Sequence, residues 1–169
     1  RFLPATKSVA KELLPVVDRP LLQYAVDEAR AAGITQFVLV TARGKASLAD
    51  YFDVPGELLR ILEERGKTRE LEILAETQLE PGAVISTRQQ QPLGLGHAVW
   101  CARHVVGNRP FAVLLPDELL WNPAAPCLKQ MAEAQARLGG NVIAVMEVPA
   151  EHVSRRGWPR SAATSSSPK

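Results

Sequence analysis

The chain has 169 residues, 46% of them hydrophobic, with 20 Lys and Arg against 18 Asp and Glu. That is apolar material enough for one core and a single domain, while a net charge of +2 is too small to argue for nucleic acid. No run of about 18 apolar residues exists to cross a membrane, and the N-terminus lacks the charged-then-apolar-then-small leader pattern, so a cytoplasmic protein is expected. In that compartment Cys101 and Cys127, which lack metal-ligand spacing, read as reduced core thiols.

The first twenty residues set Arg1, Lys7 and Lys11 among turn formers and end on an apolar run and a helix start. They are too irregular for a helix and too interrupted by Pro4, Pro15 and Pro20 for a central strand, which suits a loop gripping an anion. From Pro20, the spacing of Leu21, Leu22, Tyr24, Ala25, Val26 and Ala29 predicts a helix with Asp18 as a candidate cap and Gly33 as its stop. The run Gln36–Thr41 predicts a strand buried on both faces, which with the preceding helix gives the αβ rhythm of a parallel sheet.

Residues 46–52 predict a short helix, and residues 56–77 two surface helices divided at Gly66, with Glu64, Arg65, Lys67, Arg69 and Glu70 solvated. A strand is expected over 83–87, followed by the Gln-rich stretch 88–92, the turn Leu93-Gly94-Leu95-Gly96-His97 and helical spacing to Val105. A buried strand over 110–115, an amphipathic helix over 124–138 halted by Gly139-Gly140, and a last strand over 141–148 complete the pattern. Beyond Ser154 the Ser-rich composition cannot bury a core, so the domain is expected over 1–154 and an irregular tail over 155–169.

Three constellations carry chemistry. Lys7 and Lys11 lie four apart with Arg1 six residues before Lys7, and transfer of a phosphate group needs positive charge where the leaving group gains negative charge; the same residues also read as a basic arm. The Gln89 amide offers a donor and an acceptor together, which can match the edge of a ring that offers both in return, and Gly94 in the neighbouring turn lets backbone approach such a ring closely. Asp117 follows a predicted buried strand, at the end where ligands of open α/β sheets bind, and a carboxylate there either holds Mg²⁺ against substrate phosphates or is simply solvated. His97 helps to start a helix, while His104 and His152 have no partner at catalytic or metal spacing. No Ser-His-Asp order, zinc spacing or nucleic-acid module is visible.

Arg1, Leu3-Pro4-Ala5-Thr6-Lys7, Lys11-Glu12-Leu13-Leu14-Pro15, the stretch Pro92-Leu93-Gly94-Leu95-Gly96-His97-Ala98-Val99 and Leu115-Pro116-Asp117-Glu118 resemble, in order, the motifs of the bacterial UTP–glucose-1-phosphate uridylyltransferases. The resemblance covers nearly all of residues 1–154; Ala10 departs from it where the family has proline, and it stops after Ser154-Arg155. It implies a three-layer α/β/α nucleotide-diphospho-sugar transferase fold of Rossmann-like type, with a mostly parallel but incomplete sheet. It further implies uridylyl transfer from UTP to glucose 1-phosphate, giving UDP-glucose and pyrophosphate by in-line attack at the α-phosphorus, with Mg²⁺ as cofactor. Arg1 and Lys11 would be phosphate ligands, Glu12 would lie near the nucleotide, Gln89 and Gly94 would contact uracil, and Asp117 would bind the metal. The partners implied are UTP and glucose 1-phosphate, with neither nucleic acid nor membrane, and full-length relatives are homo-oligomers. Without the family's N-terminal glycine-rich turn and C-terminal half, the chain reads as a fragment and is expected to be inactive or barely active alone. The alternatives are a related enzyme using dTTP or ATP with the same sugar phosphate, and a non-catalytic nucleotide-binding remnant.

Overall fold

A computed structural model describes residues 3–147 and Pro149, so Arg1, His152 and the tail expected over 155–169 lie outside the described residues. The proline-interrupted opening segment folds as two single 3₁₀ turns, Ala5–Lys7 and Lys11–Leu13, and then as a small antiparallel hairpin, β1 (Pro15–Val16) with β2 (Arg19–Pro20). The hairpin is absent from the sequence reading, because two-residue strands leave no periodicity to detect.

Helix α1 (Leu21–Ala31) follows directly and ends at Gly33, whose φ of 83° is the left-handed closure that glycine adopts without a Cβ penalty. Asp18 does not cap it. Pairing of β2 holds Asp18 away from the helix start, and its carboxylate accepts a hydrogen bond from the Tyr24 hydroxyl at 3.3 Å. The buried Gln23 side chain is satisfied at both ends, donating to Asp27 at 2.7 Å and accepting from the Tyr51 hydroxyl at 3.1 Å. Arg19 donates to the other Asp27 oxygen at 2.9 Å, so one polar chain ties the hairpin to α1 and to the segment around Tyr51.

Strand β3 (Phe37–Thr41) pairs in parallel with β4 (Val84–Arg88), in register from Phe37 opposite Val84 to Thr41 opposite Arg88. Between them run α2 (Ser47–Asp50), α3 (Gly56–Glu64) and α4 (Thr68–Thr77), the last two divided at Gly66 as the sequence predicts. A parallel pair needs such a crossover, since a hairpin turn cannot return the chain to the same end. After β4 come α5 (Leu95–Cys101), α6 (Arg103–Val106) and α7 (Cys127–Leu138); α7 packs on α1, where the Leu128 amide donates to Glu28 at 2.9 Å. The core is small: Leu22, Val26 and Ala29 of α1 with Leu48, Ala83, Ala102 and Leu128.

Three expectations change. Strand β3 is half-buried along its length, not buried on both faces. The segments expected as strands at 110–115 and 141–148 form no ladder among the described residues, Val148 lying outside them. A strand exists only against a partner, and with none alongside, Phe111, Val113, Ile143 and Val145 stand exposed, Val145 at 90%. Cys101 and Cys127 are free thiols, as expected, but half-buried rather than in the core.

In the β1–β2 turn, Val17 is 96% exposed and has a φ of 62°, a left-handed conformation that a β-branched residue enters at a cost of about 1–2 kcal/mol. Only the first of the two turn residues takes positive φ, the position where hairpins favour glycine. Val17→Gly is therefore expected to raise the unfolding free energy by about 1 kcal/mol, after the backbone entropy of glycine is offset; urea denaturation of the two proteins measures it, and a lower midpoint for the variant contradicts the strain.

Candidate functional site

Two clusters of polar side chains hang from the carboxyl ends of β3 and β4, the end of a parallel sheet at which ligands bind. The loop leaving β3 turns through a hydrogen bond from the Lys45 amide to the Ala42 carbonyl, which presents the Lys45 side chain. The chain leaving β4 is tied to the end of β3 by the Gln89 amide, which donates to the Thr41 carbonyl at 2.9 Å.

The first cluster alternates in charge. Lys11, in the 3₁₀ turn after the opening loop, pairs with Asp117 across 106 residues of sequence. Its neighbour Glu12 is buried, and one carboxylate oxygen accepts from the Lys45 ammonium at 2.5 Å. The other, Oε2, is buried without a hydrogen-bond partner among the described residues, a costly arrangement for a carboxylate oxygen. The Lys11 hydrogen bond, aided by the Coulombic field of Lys11, holds the Asp117 carboxyl below its ordinary range, against a smaller opposing effect of burial.

The second cluster surrounds the turn before α5. Gly94 sits at the helix start with a φ of 92°, a conformation that favours glycine, and its carbonyl accepts from Gln89 Nε2 at 2.9 Å. The same Nε2 lies 3.0 Å from His97 Nδ1. These two contacts tether the Gln89 side chain to the turn before α5.

The structure thus brings Lys11, Glu12 and Asp117 into one cluster and Gln89 with Gly94 into another; Arg1 lies outside the described residues. Lys45 is a contributor that sequence reasoning did not assign to the site, while His97, expected there as a helix start, lies against the Gln89 side chain. The signal for Lys45 was present: a basic residue just past a predicted strand, the same position that singled out Asp117. Among the described residues no three His, Cys, Asp or Glu side chains converge as a metal cluster. Mg²⁺ bound together with substrate phosphates needs only one or two carboxylates, so Asp117 fits as its protein ligand once Lys11 releases it. A surface depression of about 460 Å³ beside α7, lined by Cys127, Met131, Ala134 and Val142, contains none of these residues.

Residues 1–158 match the family model described as nucleotidyl transferase. The chain is 52% identical over 157 residues to a UTP–glucose-1-phosphate uridylyltransferase of Komagataeibacter xylinus and 44% identical to one of Bacillus subtilis, 93% of this chain aligning in each case with 55% and 53% of the relative. It therefore spans about half the length of the curated relatives it matches. Among solved structures, the UTP-bound UDP-glucose pyrophosphorylase of Acinetobacter baumannii superposes with a TM-score of 0.76 at 48% identity, over 82% of this chain and 49% of that one. A UDP-glucose pyrophosphorylase complexed with UDP-glucose superposes with a TM-score of 0.72 at 39% identity, over 90% of this chain and 55% of that one. The α/β nucleotidyltransferase fold with a partial parallel sheet follows from these.

The two ion pairs generate separate predictions. Lys45→Met leaves the buried Glu12 carboxylate without its cation and is expected to cost about 2 kcal/mol, of which the double variant with Glu12→Gln regains a substantial part; a double variant that costs the sum of the two single variants in urea denaturation would show that the pair is not coupled. For Asp117 the folded-state value lies below the ordinary 3.8, so its contribution to stability is present above that value and is lost as pH falls through the folded one. The stability difference between wild type and Asp117→Asn, measured in EDTA, should be constant near neutrality and shrink below about pH 4. A difference that grows with acidity would contradict the pairing.

Proposed function

Because the chain belongs to the nucleotidyl transferase family, we propose that its site serves uridylyl transfer from UTP to glucose 1-phosphate, giving UDP-glucose and pyrophosphate. The observation that carries this reading is the placing of two lysine–carboxylate pairs and of the Gln89 side-chain amide at one end of the β3–β4 pair. The names of the relatives, two of them uridylyltransferases and one a UTP-bound pyrophosphorylase, support UTP over dTTP or ATP.

In this mechanism Gln89 Oε1 accepts from the imide N–H of uracil, and Gly94 allows the ring to lie close to backbone. Lys11 exchanges Asp117 for a phosphate oxygen and offsets the negative charge that builds on the leaving pyrophosphate as the sugar phosphate oxygen attacks in line. Glu12, held by Lys45, is proposed to lie near the nucleotide. Arg1 is proposed as a second phosphate ligand. Mg²⁺ held by Asp117 and the triphosphate would neutralise phosphate charge. The catalytic domain is proposed to span residues 1–154, with 155–169 as a tail, and the reaction to take place in the cytoplasm. The 169-residue chain on its own is proposed to bind nucleotide with little or no turnover, because none of the residues assigned above contacts the sugar.

Calorimetric titration of the purified chain with UTP in Mg²⁺ tests the proposal. Gln89→Ala is expected to weaken UTP binding about tenfold, one neutral hydrogen bond, and Lys11→Met about tenfold to a hundredfold, one charged contact. A folded wild-type chain that takes up no UTP overturns the reading, and turnover at a rate like a full-length enzyme's overturns the proposed inactivity.

A further inference from the structure

We infer that Lys45 is a positioning residue: by clamping the buried Glu12 carboxylate it holds the turn that carries Lys11, and so aims the Lys11 ammonium at the phosphates without touching them itself. The inference rests on the nucleotide reading above and names the residue that sets the geometry of its phosphate contact.

The turn that presents Lys11 has little of its own to hold it. Lys11–Leu13 is a single 3₁₀ turn, closed by the Leu13 amide donating to the Ala10 carbonyl at 2.9 Å and the Leu14 amide donating to the Lys11 carbonyl at 3.2 Å, with extended backbone at Ala10 and Leu14 on either side. One isolated turn makes too few hydrogen bonds to fix its own backbone. It packs against α1, yet within residues 3–18 the one buried residue is Glu12. A carboxylate is buried at tolerable cost only when paired, and the Lys45 ammonium donates to it at 2.5 Å. What seats the turn is therefore charge as well as apolar contact.

Lys45 stands on firmer backbone. Its amide donates to the Ala42 carbonyl and its carbonyl accepts from the Leu48 amide, each at 3.3 Å, which ties it between the end of β3 and a core residue. Successive side chains leave a 3₁₀ turn about 120° apart, so a turn pinned through Glu12 sends Lys11 in another direction, where it meets Asp117. Lysine has a flexible four-carbon stem, and where its ammonium can reach is set by where its backbone is held. The two lysines thus divide the work, one fixed on a buried carboxylate and one free to exchange an exposed partner.

The test is calorimetric titration of the full 169-residue chain with UTP in Mg²⁺, for wild type, Lys45→Met and Glu12→Ala, each made with Lys11 present and with Lys11→Met; circular dichroism first establishes that every chain is folded, and Glu12→Ala carries the comparison alone if Lys45→Met is not. Both variants break the clamp, so each is expected to weaken UTP binding about fivefold or more with Lys11 present and to change it by less than about twofold in the Lys11→Met background. They remove charges of opposite sign, so a mere field effect on the triphosphate would move the affinity in opposite directions. A direct phosphate contact by Lys45, or a general loosening of the site, would weaken binding equally in both backgrounds. Either of those patterns, or unchanged affinity in both folded variants, overturns the inference while leaving the nucleotide reading standing. A folded wild-type chain that takes up no UTP, or whose affinity Lys11→Met leaves unchanged, overturns that reading at Lys11, and this inference with it.

Discussion

Parallel pairing of Phe37–Thr41 with Val84–Arg88 is the constraint on which the site depends. It brings residues more than forty positions apart to the same end of one ladder, and both chains leave that end as loops carrying chemistry. Thr41 closes β3 and accepts from the Gln89 backbone amide, so the residue proposed to read the base is anchored to the last rung of the ladder. Four residues beyond Thr41, Lys45 reaches back to the opening segment. If the register slipped by one residue, every side chain would change faces and neither loop would meet its partner.

What the ladder positions, charge alternation holds. Lys45 neutralises Glu12, the residue just before it is Lys11, and Lys11 neutralises Asp117. The two pairs differ in exposure, and so in kind. Glu12 is 7% exposed, and stripping its carboxylate of a cation leaves a buried charge, a loss on the order of a few kcal/mol. Lys11 and Asp117 are each 37% exposed, where an ion pair is worth roughly 0–1 kcal/mol. The first pair therefore fixes the loop's position, and the second is free to exchange.

Much of this was legible in the sequence, for identifiable reasons. Long apolar periods in 21–31 and 127–138 gave their helices, and Gly66 gave the break between α3 and α4. The grouping of Gln89 with Gly94 followed from motif resemblance, as did the separate choice of Lys11 and of Asp117, whereas the ion pair that joins those two came only with the fold. The strands at 110–115 and 141–148 did not follow, since an apolar run records only the tendency to pair, and pairing needs a neighbour that a single segment cannot reveal. Lys45 was missed, and His97 was placed only as a helix start, for a related reason. Neither residue is conspicuous alone; each matters through the partner it satisfies, Glu12 in one case and Gln89 in the other, and partners are a property of the fold.

The weakness of the Lys11–Asp117 pair has a mechanistic use on the proposed reading. Without nucleotide, each charge satisfies the other, so an exposed cation and an exposed anion coexist at little cost. A triphosphate offers Lys11 more negative charge than one carboxylate does, and a divalent cation travelling with it offers Asp117 more positive charge than one ammonium does. The exchange breaks one weak pair and makes two charge-assisted contacts, so nucleotide and metal favour each other's arrival. The Lys45–Glu12 pair cannot take part in such an exchange without unburying a charge. It stays in place and keeps the backbone of Lys11 fixed while the Lys11 side chain changes partners.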